Sequence, residues 1–288
     1  MEHKPSIAII GGSGLYQMKH VEVLETRNVE TPFGKPSAPI VIGRMAGKTI
    51  AFLARHGIGH VHSPSEVNYR ANIYALKSLG VRKIVSISAC GSLREDYCPG
   101  EIVTPDNIFD FTRGRERSFF SDGIVAHVST ANPFCKSLAG WVGDAVDAAG
   151  GVLHRGGSLI TIEGPRFSTK AESNLFRQWG MSIIGMTATP EAFLAREAEM
   201  CYATMAHVTD YDVWHVSEEP VSVEMVIRTL NKNTELAQQA ILNLVKNPDL
   251  EAPCECENAL KDALITHPEH IDPTQKEKLA LLLSRYVH

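Results

Sequence analysis

Short apolar runs, each closed by glycine, serine or a charged residue, alternate along this chain with longer stretches whose apolar positions recur at helical spacing. The runs at 6–10, 40–44, 49–54, 81–89, 158–162, 182–186 and 201–208 read as strands. Helical patterns cover 64–79, 133–149, 170–179, 190–199 and 221–245, the last as one long helix. A final helix at 273–285 carries Leu279, Leu282 and Leu283. The runs at 40–44 and 49–54 fit a hairpin turning at Ala46-Gly47, and Gly150-Gly151 stops the helix before it. Strand and helix patterns alternate without repeats or a long linker, which predicts an α/β fold. Near 247–257 the composition turns polar and proline-rich.

Nearly every polar motif sits just after a predicted strand. In open α/β sheets the ligand crevice lies at the carboxyl ends of the strands, so these motifs are expected to converge on one pocket. Gly12-Ser13-Gly14 closes the first strand. Gln17 stands where a dinucleotide-binding turn needs Gly or Ala, and no Walker pattern is present. A tight turn with exposed amides and one hydroxyl remains, suited to a small oxyanion or serving only as a turn. Arg55-His56-Gly57 offers a guanidinium that can grip phosphate in a fork, with an imidazole beside it. The run continues through His60 and His62, but no acidic or thiol ligand accompanies the three histidines as a metal site would require.

Ser88-Ala89-Cys90-Gly91-Ser92 supplies hydroxyls and amides, with a glycine that lets a ligand approach closely. Cys90 has no neighbouring base and reads as packing rather than as a nucleophile. Phe167 and Ser168, after Glu163-Gly164-Pro165-Arg166, offer a ring for stacking and a hydroxyl; Phe167 equally suits a core. Gly185-Met186-Thr187 pairs a polarisable apolar face with another hydroxyl, while Thr189-Pro190-Glu191 fits helix entry.

The strand at 201–208 leads into Asp210-Tyr211-Asp212. On extended backbone that spacing puts both carboxylates on one face, where mutual repulsion is expected to raise one pKa above its usual ~3.9. A protonated acid beside an ionised one can donate to one heteroatom and accept from another, which is what reading N7 and the 6-amino group of a purine requires. Taken alone, the pair also fits two solvated acids in a loop.

Composition narrows the classes. Hydrophobic residues make up 44% and charged residues 21% of 288, as in globular proteins. The net charge of −5 argues against a nucleic-acid surface. No apolar run reaches the roughly 18 residues of a membrane span, and the start MEHKPSIAIIGG is too short for a signal peptide, so a cytoplasmic protein is expected. Six cysteines are too few for a disulfide scaffold, and the Cys254/Cys256 C-x-C pair lacks the second half of a zinc site.

Together the stretches IIGGSGL, ETPFGKPS, LARHG, VNYRANIYALK, ACGSLRE, TIEGPRFST, PEAFLAREA and TDYDVW resemble the trimeric purine nucleoside phosphorylases, in order from residue 7 to about 230. The resemblance implies one domain over 1–288 with a mixed central sheet flanked by helices and a C-terminal helical segment at about 258–288. It implies phosphorolysis of a nucleoside and, within the family, the branch acting on S-methyl-5'-thioadenosine, with no metal or redox cofactor. By this resemblance phosphate is held by Ser13, Arg55, His56, Ser88, Ala89 and Thr187. Cys90, Gly91, Ile184 and Met186 line the nucleoside, Phe167 and Ser168 flank the base, and Asp210 and Asp212 read its N6 and N7 edge, Asp210 being the N7 donor. Relatives specific for 6-oxopurines carry Asn in this region, so the acids favour 6-amino substrates. Val223 and Val226 match an apolar 5' pocket, completed by a neighbour's His127 in a trimer.

Other readings are a broader phosphorylase taking adenosine or inosine, a hydrolase using water, and a non-catalytic adenine-nucleoside binding protein. From heat-stable relatives the resemblance also implies bridges Cys135–Cys201 and Cys254–Cys256, the alternative being six free thiols.

Overall fold

The computed structural model describes residues 3–12, 20–216 and 221–287. Among these residues eleven strands form one sheet. In chain order the first elements are β1 (Ile7–Gly11), β2 (Glu22–Arg27), β3 (Ile40–Met45), β4 (Lys48–Ala54), α1 (Tyr69–Ser78) and β5 (Lys83–Ser92). There follow β6 (Ile102–Thr104), β7 (Asn107–Phe111), α2 (Lys136–Ala148), β8 (Leu153–Arg155), β9 (Ser158–Ile162) and α3 (Lys170–Gln178). Then come β10 (Ile183–Gly185), α4 (Ala188–Glu197), β11 (Cys201–Asp210), α5 (Val223–Lys232), α6 (Thr234–Lys246), α7 (Pro273–Lys278) and α8 (Ala280–Leu283).

The sheet runs β2-β3-β4-β1-β5-β10-β9-β7, and β11 leaves this path at β5 to reach β6 and then β8. β5 is therefore the hub. It lies parallel to β1 on one side and to β11 on the other, and its last residues pair antiparallel with β10. β1, β4, β5 and β11 all point their carboxyl ends the same way. β10 arrives from the opposite direction but brings its own end back to β5, with Ile184 opposite Gly91. The central strands are apolar on both faces: every residue of β1 is buried, as is every residue of β11. Two large apolar clusters cover the sheet. One includes Ile73 and Leu76 of α1, Leu194 of α4 and Leu282 of α8. The other includes Leu138 and Val142 of α2 and Ile241 and Leu244 of α6.

The β3–β4 hairpin turns where its sequence predicts. Ala46 and Gly47 have φ of 48° and 81°, the pair of left-handed residues that matches the twist of a two-residue hairpin. Other expectations are corrected. The stretch 64–79 is helical only from Tyr69, because the Asn68 side chain caps the helix by accepting from the Ala71 N–H. β5 does not stop at residue 89; it runs through Cys90 and Gly91 to Ser92. The single helix over 221–245 is two, α5 and α6, meeting at Asn233, whose side-chain amide donates to the Gly100 carbonyl. The final helix is likewise broken at Leu279. Strands β2, β6, β7 and β8 were not expected at all.

No described helix is long and apolar enough to cross a membrane. All six cysteines are free, so neither expected bridge is formed. Cys135 and Cys201 do lie close together, but Cys254 and Cys256 join them in one cluster. The C-x-C pair, isolated in sequence, is thus met in the fold by cysteines more than fifty positions away.

Candidate functional site

The strand ends build the site in two halves, joined along the last residues of β5. The first half gathers around Arg55. Its backbone N–H donates to the Gly11 carbonyl, which sets the end of β4 beside the end of β1. Its guanidinium is 2% exposed and forks onto Glu191 of α4, Nε to Oε2 at 2.7 Å and Nη2 to Oε1 at 2.8 Å. Nη2 also donates to Ser86 Oγ at 2.6 Å and Nη1 to the Ile87 carbonyl at 3.3 Å. Tyr202 donates to the same Glu191 at 2.8 Å. Burial works against the guanidinium charge, but Glu191 outweighs it and holds the pKa above the ordinary value. The expected bidentate grip on phosphate is therefore corrected. Four of the five donors are committed among the described residues, leaving one Nη1 hydrogen for a ligand.

His56 is fixed by its Nδ1–H donating to the His62 carbonyl at 2.9 Å and by stacking on His60 at 4.2 Å. Burial first, and then the Arg55 charge, push its pKa down to about 4. Near neutral pH the imidazole is uncharged and Nε2 presents a lone pair.

Ser88 and Ala89 lie half-buried on β5 within this half. β10 brings Met186 and Thr187 next to them: a Cβ placed on Gly185 would stand 3.9 Å from the Ala89 carbonyl oxygen. Thr187 occupies the N-cap position of α4, yet its side chain makes no capping bond, so the hydroxyl is uncommitted to the helix. Ser13 lies outside the described residues.

The second half surrounds Asp210, opposite Gly91 in the β5–β11 register. A Cβ on Gly91 would stand 3.0 Å from Asp210 Oδ1, 3.0 Å from Ile184 Cγ2 and 3.2 Å from Asp212 Cβ. A side chain at this position would crowd both acids and Ile184, which close over the strand. Asp210 and Asp212 are 4% and 5% exposed. Asp210 Oδ1 accepts from the Asp212 N–H at 2.8 Å, and Oδ2 lies 2.6 Å from Thr209 Oγ1. The Thr209 hydroxyl also reaches the Cys90 carbonyl at 3.2 Å. When Asp210 is protonated it can donate to Thr209, which passes its own hydrogen to that carbonyl.

Burial pushes the Asp210 carboxyl up to about 6, against the bonds from Thr209 and Asp212, and the Asp212 charge contributes least. The reason expected from spacing is therefore corrected: desolvation, not the neighbouring acid, does most of the lifting. Asp212 is not on extended backbone either; it turns out of the strand with φ of 53°. Its pKa is raised too, chiefly by burial, while the Ser173 and Ser168 hydroxyls pull it down. Its Oδ2 and both of these hydroxyls are buried close enough to influence one another, but none of the three closes a hydrogen bond of good geometry among the described residues. Two loosely held hydroxyls beside one buried acid leave hydrogen-bonding capacity for a ligand.

Trp214 holds the turn after the acids by donating from Nε1 to the Ser92 carbonyl at 2.7 Å. Phe167 is half-buried just ahead of Ser168, where the Thr169–Glu172 capping box starts α3. Cys90 is 3% exposed and burial raises its thiol well above the ordinary pKa, as its packing role requires. Val223 and Val226 lie on α5, which buries no residue in the single chain, and His127 is exposed. The Val221 N–H donates to the Asp212 carbonyl at 3.3 Å, which sets the start of α5 beside the acids.

Glu191, Thr209 and Arg115 were missed by sequence reasoning. Arg115 bolts the pocket rim together, donating to the carbonyls of Glu163, Met186 and Thr189 at 2.7, 2.7 and 2.6 Å. Nothing in the polar run RGRER distinguishes it from a solvated arginine.

Comparison with known proteins places these features in context. The family model described as the phosphorylase superfamily matches residues 6–246. The S-methyl-5'-thioadenosine phosphorylase of Chloroflexus aurantiacus is 52% identical over 285 residues, covering 99% of each chain. That of Koribacter versatilis is 49% identical, covering 97% of this chain and 96% of the other. A methylthioadenosine phosphorylase structure from an antarctic soil metagenomic library superposes with a TM-score of 0.93 at 50% identity, covering 98% of this chain and 99% of that one. The Schistosoma mansoni methylthioadenosine phosphorylase in complex with adenine gives 0.83 at 36% identity, covering 98% of each chain.

Proposed function

The chain belongs to the phosphorylase superfamily, and from that premise we propose that it catalyses phosphorolysis of S-methyl-5'-thioadenosine to adenine and 5-methylthioribose 1-phosphate, a pentosyl transfer to phosphate. The observation that carries this reading is the receptor at the end of β11: two buried acids with raised pKa, one of them beside two hydroxyls that make no well-formed hydrogen bond. Such a receptor matches a 6-aminopurine, which offers an N–H donor at N6 and an acceptor at N7.

Phosphate is read into the first half, against His56, Ser88, Ala89, Thr187, the remaining Arg55 donor and Ser13. Ser88 and Gly91 are three residues apart on one strand, roughly 10 Å at ~3.3 Å per residue, which leaves room for a ribose between phosphate and base. A phosphate oxygen attacks C1' as the C1'–N9 bond breaks. The bonding pair leaves with adenine, and an Asp210 proton passed to N7 neutralises it. Neutral His56 accepts a hydrogen bond from a protonated phosphate oxygen through Nε2. The residues in hand supply each step without a metal or redox cofactor.

Val223 and Val226 favour a methylthio group over a 5'-hydroxyl. The bare apolar side of α5 and the exposed His127 support a 5' pocket completed by a neighbouring subunit, in a homotrimer of single-domain chains. A cytoplasmic location suits an enzyme of nucleoside salvage. Measuring kcat/KM for methylthioadenosine, adenosine and inosine at fixed phosphate tests the assignment. Methylthioadenosine is expected to lead and inosine to trail; inosine in first place would refute the reading of the acids.

A further inference from the structure

At the opposite end of β11 from Asp210 lie four cysteines that the proposed reaction does not use. Cys201 is the first residue of β11, and Cys135 is the N-cap of α2, where its side chain makes no capping hydrogen bond. Cys254 and Cys256 come from the segment beyond α6, Cys254 preceding and Cys256 lying within a short 3-10 helix at Glu255–Asn258. The Cys135 backbone N–H donates to the Tyr202 carbonyl at 2.8 Å, which locks the first two cysteine positions together. All four Sγ atoms lie within 4.8 Å of one another, with Cys135 and Cys254 at 3.6 Å. Four sulfurs bound at about 2.3 Å to one tetrahedral zinc ion lie about 3.8 Å apart, so the cluster needs only small shifts to close on a metal. Cys135, Cys201 and Cys256 are buried, while Cys254 is half-exposed and gives an ion a way in.

The surroundings are prepared for negative charge. Arg196 of α4 donates from Nη1 to Cys256 Sγ at 3.2 Å, and its Nε is buried with no partner among the described residues. Four thiolates around a divalent ion carry a net charge of about −2, which a guanidinium and the positive end of the α2 dipole both favour.

We propose that Cys135, Cys201, Cys254 and Cys256 form a structural site for a thiophilic divalent cation of the zinc class. Binding releases the four thiol protons to solvent, and no electron is transferred. The site pins the segment after α6 to the starts of α2 and β11, so it secures the C-terminal region rather than the chemistry.

The test uses the full chain purified anaerobically and fully reduced, titrated with Co2+ and then Zn2+. About one equivalent of Co2+ per chain is expected to give intense thiolate-to-cobalt charge-transfer bands with the visible bands of tetrahedral geometry, displaced by Zn2+. Zn2+ should protect four thiols from modification and raise the Tm. Cys254→Ser, at the half-exposed position, should weaken or shift the cobalt spectrum, and Cys98→Ser should leave it intact. Because the titration needs only the natural chain, it stands even if a variant fails to fold. No tetrahedral thiolate spectrum in the reduced protein would overturn the proposal, as would four cysteines already paired as disulfides in protein kept from air.

Discussion

Asp210 shows how one residue's surroundings can set a reaction's pH dependence. Its folded pKa of about 6 lies above the ordinary 3.8 because burial penalises the charged form. The acid is therefore protonated and able to donate at low pH, and loses its proton as the pH rises past about 6. On the proposed mechanism kcat/KM falls on the alkaline side with an apparent pKa near that value. Asp210→Asn should lower kcat on 6-amino substrates by about 10²-fold or more and flatten that limb. The ionisation of phosphate itself is common to both proteins and cancels in the comparison. Near-full activity in both Asp210→Asn and Asp212→Asn would defeat the acid chemistry. The sequence shows the two acids plainly. It cannot show Thr209 relaying to the Cys90 carbonyl, or the turn that takes Asp212 off the strand, because both depend on β5 lying alongside.

Among the elements, the segment just past β4 is tied to α4 by one buried ion pair. Arg55 and Glu191 are 2% and 0% exposed and 136 residues apart in sequence. Removing one member of such a pair strands the other charge, typically at a cost of about 3–5 kcal/mol. Glu191→Gln should therefore lower the Tm by roughly 10 °C and raise the KM for phosphate, since Arg55 loses its fixed orientation. Thermal melting and a phosphate titration of the variant check this; an unchanged Tm would show that the pair does not brace the pocket. Legibility at this scale divides by periodicity. Long buried strands such as β1, β4 and β11 are visible as apolar runs. β2, with its sequence EVLETR and a register shift between Val23 and Glu25, is half polar, and β6 and β8 have three residues each, too few for a period. The α5–α6 break is invisible because Asn233 is a tolerable helix residue until the Gly100 carbonyl claims its side chain.

At the scale of the whole molecule, the pH dependence of stability has a separable origin in His207. It is buried in β11 with both ring nitrogens unpartnered among the described residues, and burial alone pushes its pKa from 6.5 down to about 4. Between those values the unfolded chain takes up a proton that the folded chain refuses. The imidazole's contribution is intact above pH 6.5 and is lost as the pH falls toward about 4. His207→Leu should lack this loss, so the stability of the variant relative to the natural chain should rise steadily as the pH is lowered across that window. Denaturant unfolding at several pH values measures it, and a constant difference would contradict the account.

The gathering of strand ends around β5 is also a whole-molecule property, and the sequence points to it because the polar motifs lie at or just after the ends of apolar runs. The interface that α5 and His127 would complete is not legible in the same way, since it needs a second chain. The central claim is that phosphate is the acceptor of the pentosyl group, and adenine release from methylthioadenosine with and without phosphate tests it most directly. The account predicts negligible release without phosphate and, with it, one sugar phosphate formed per adenine. Equal release in the absence of phosphate, with free sugar as product, would contradict it.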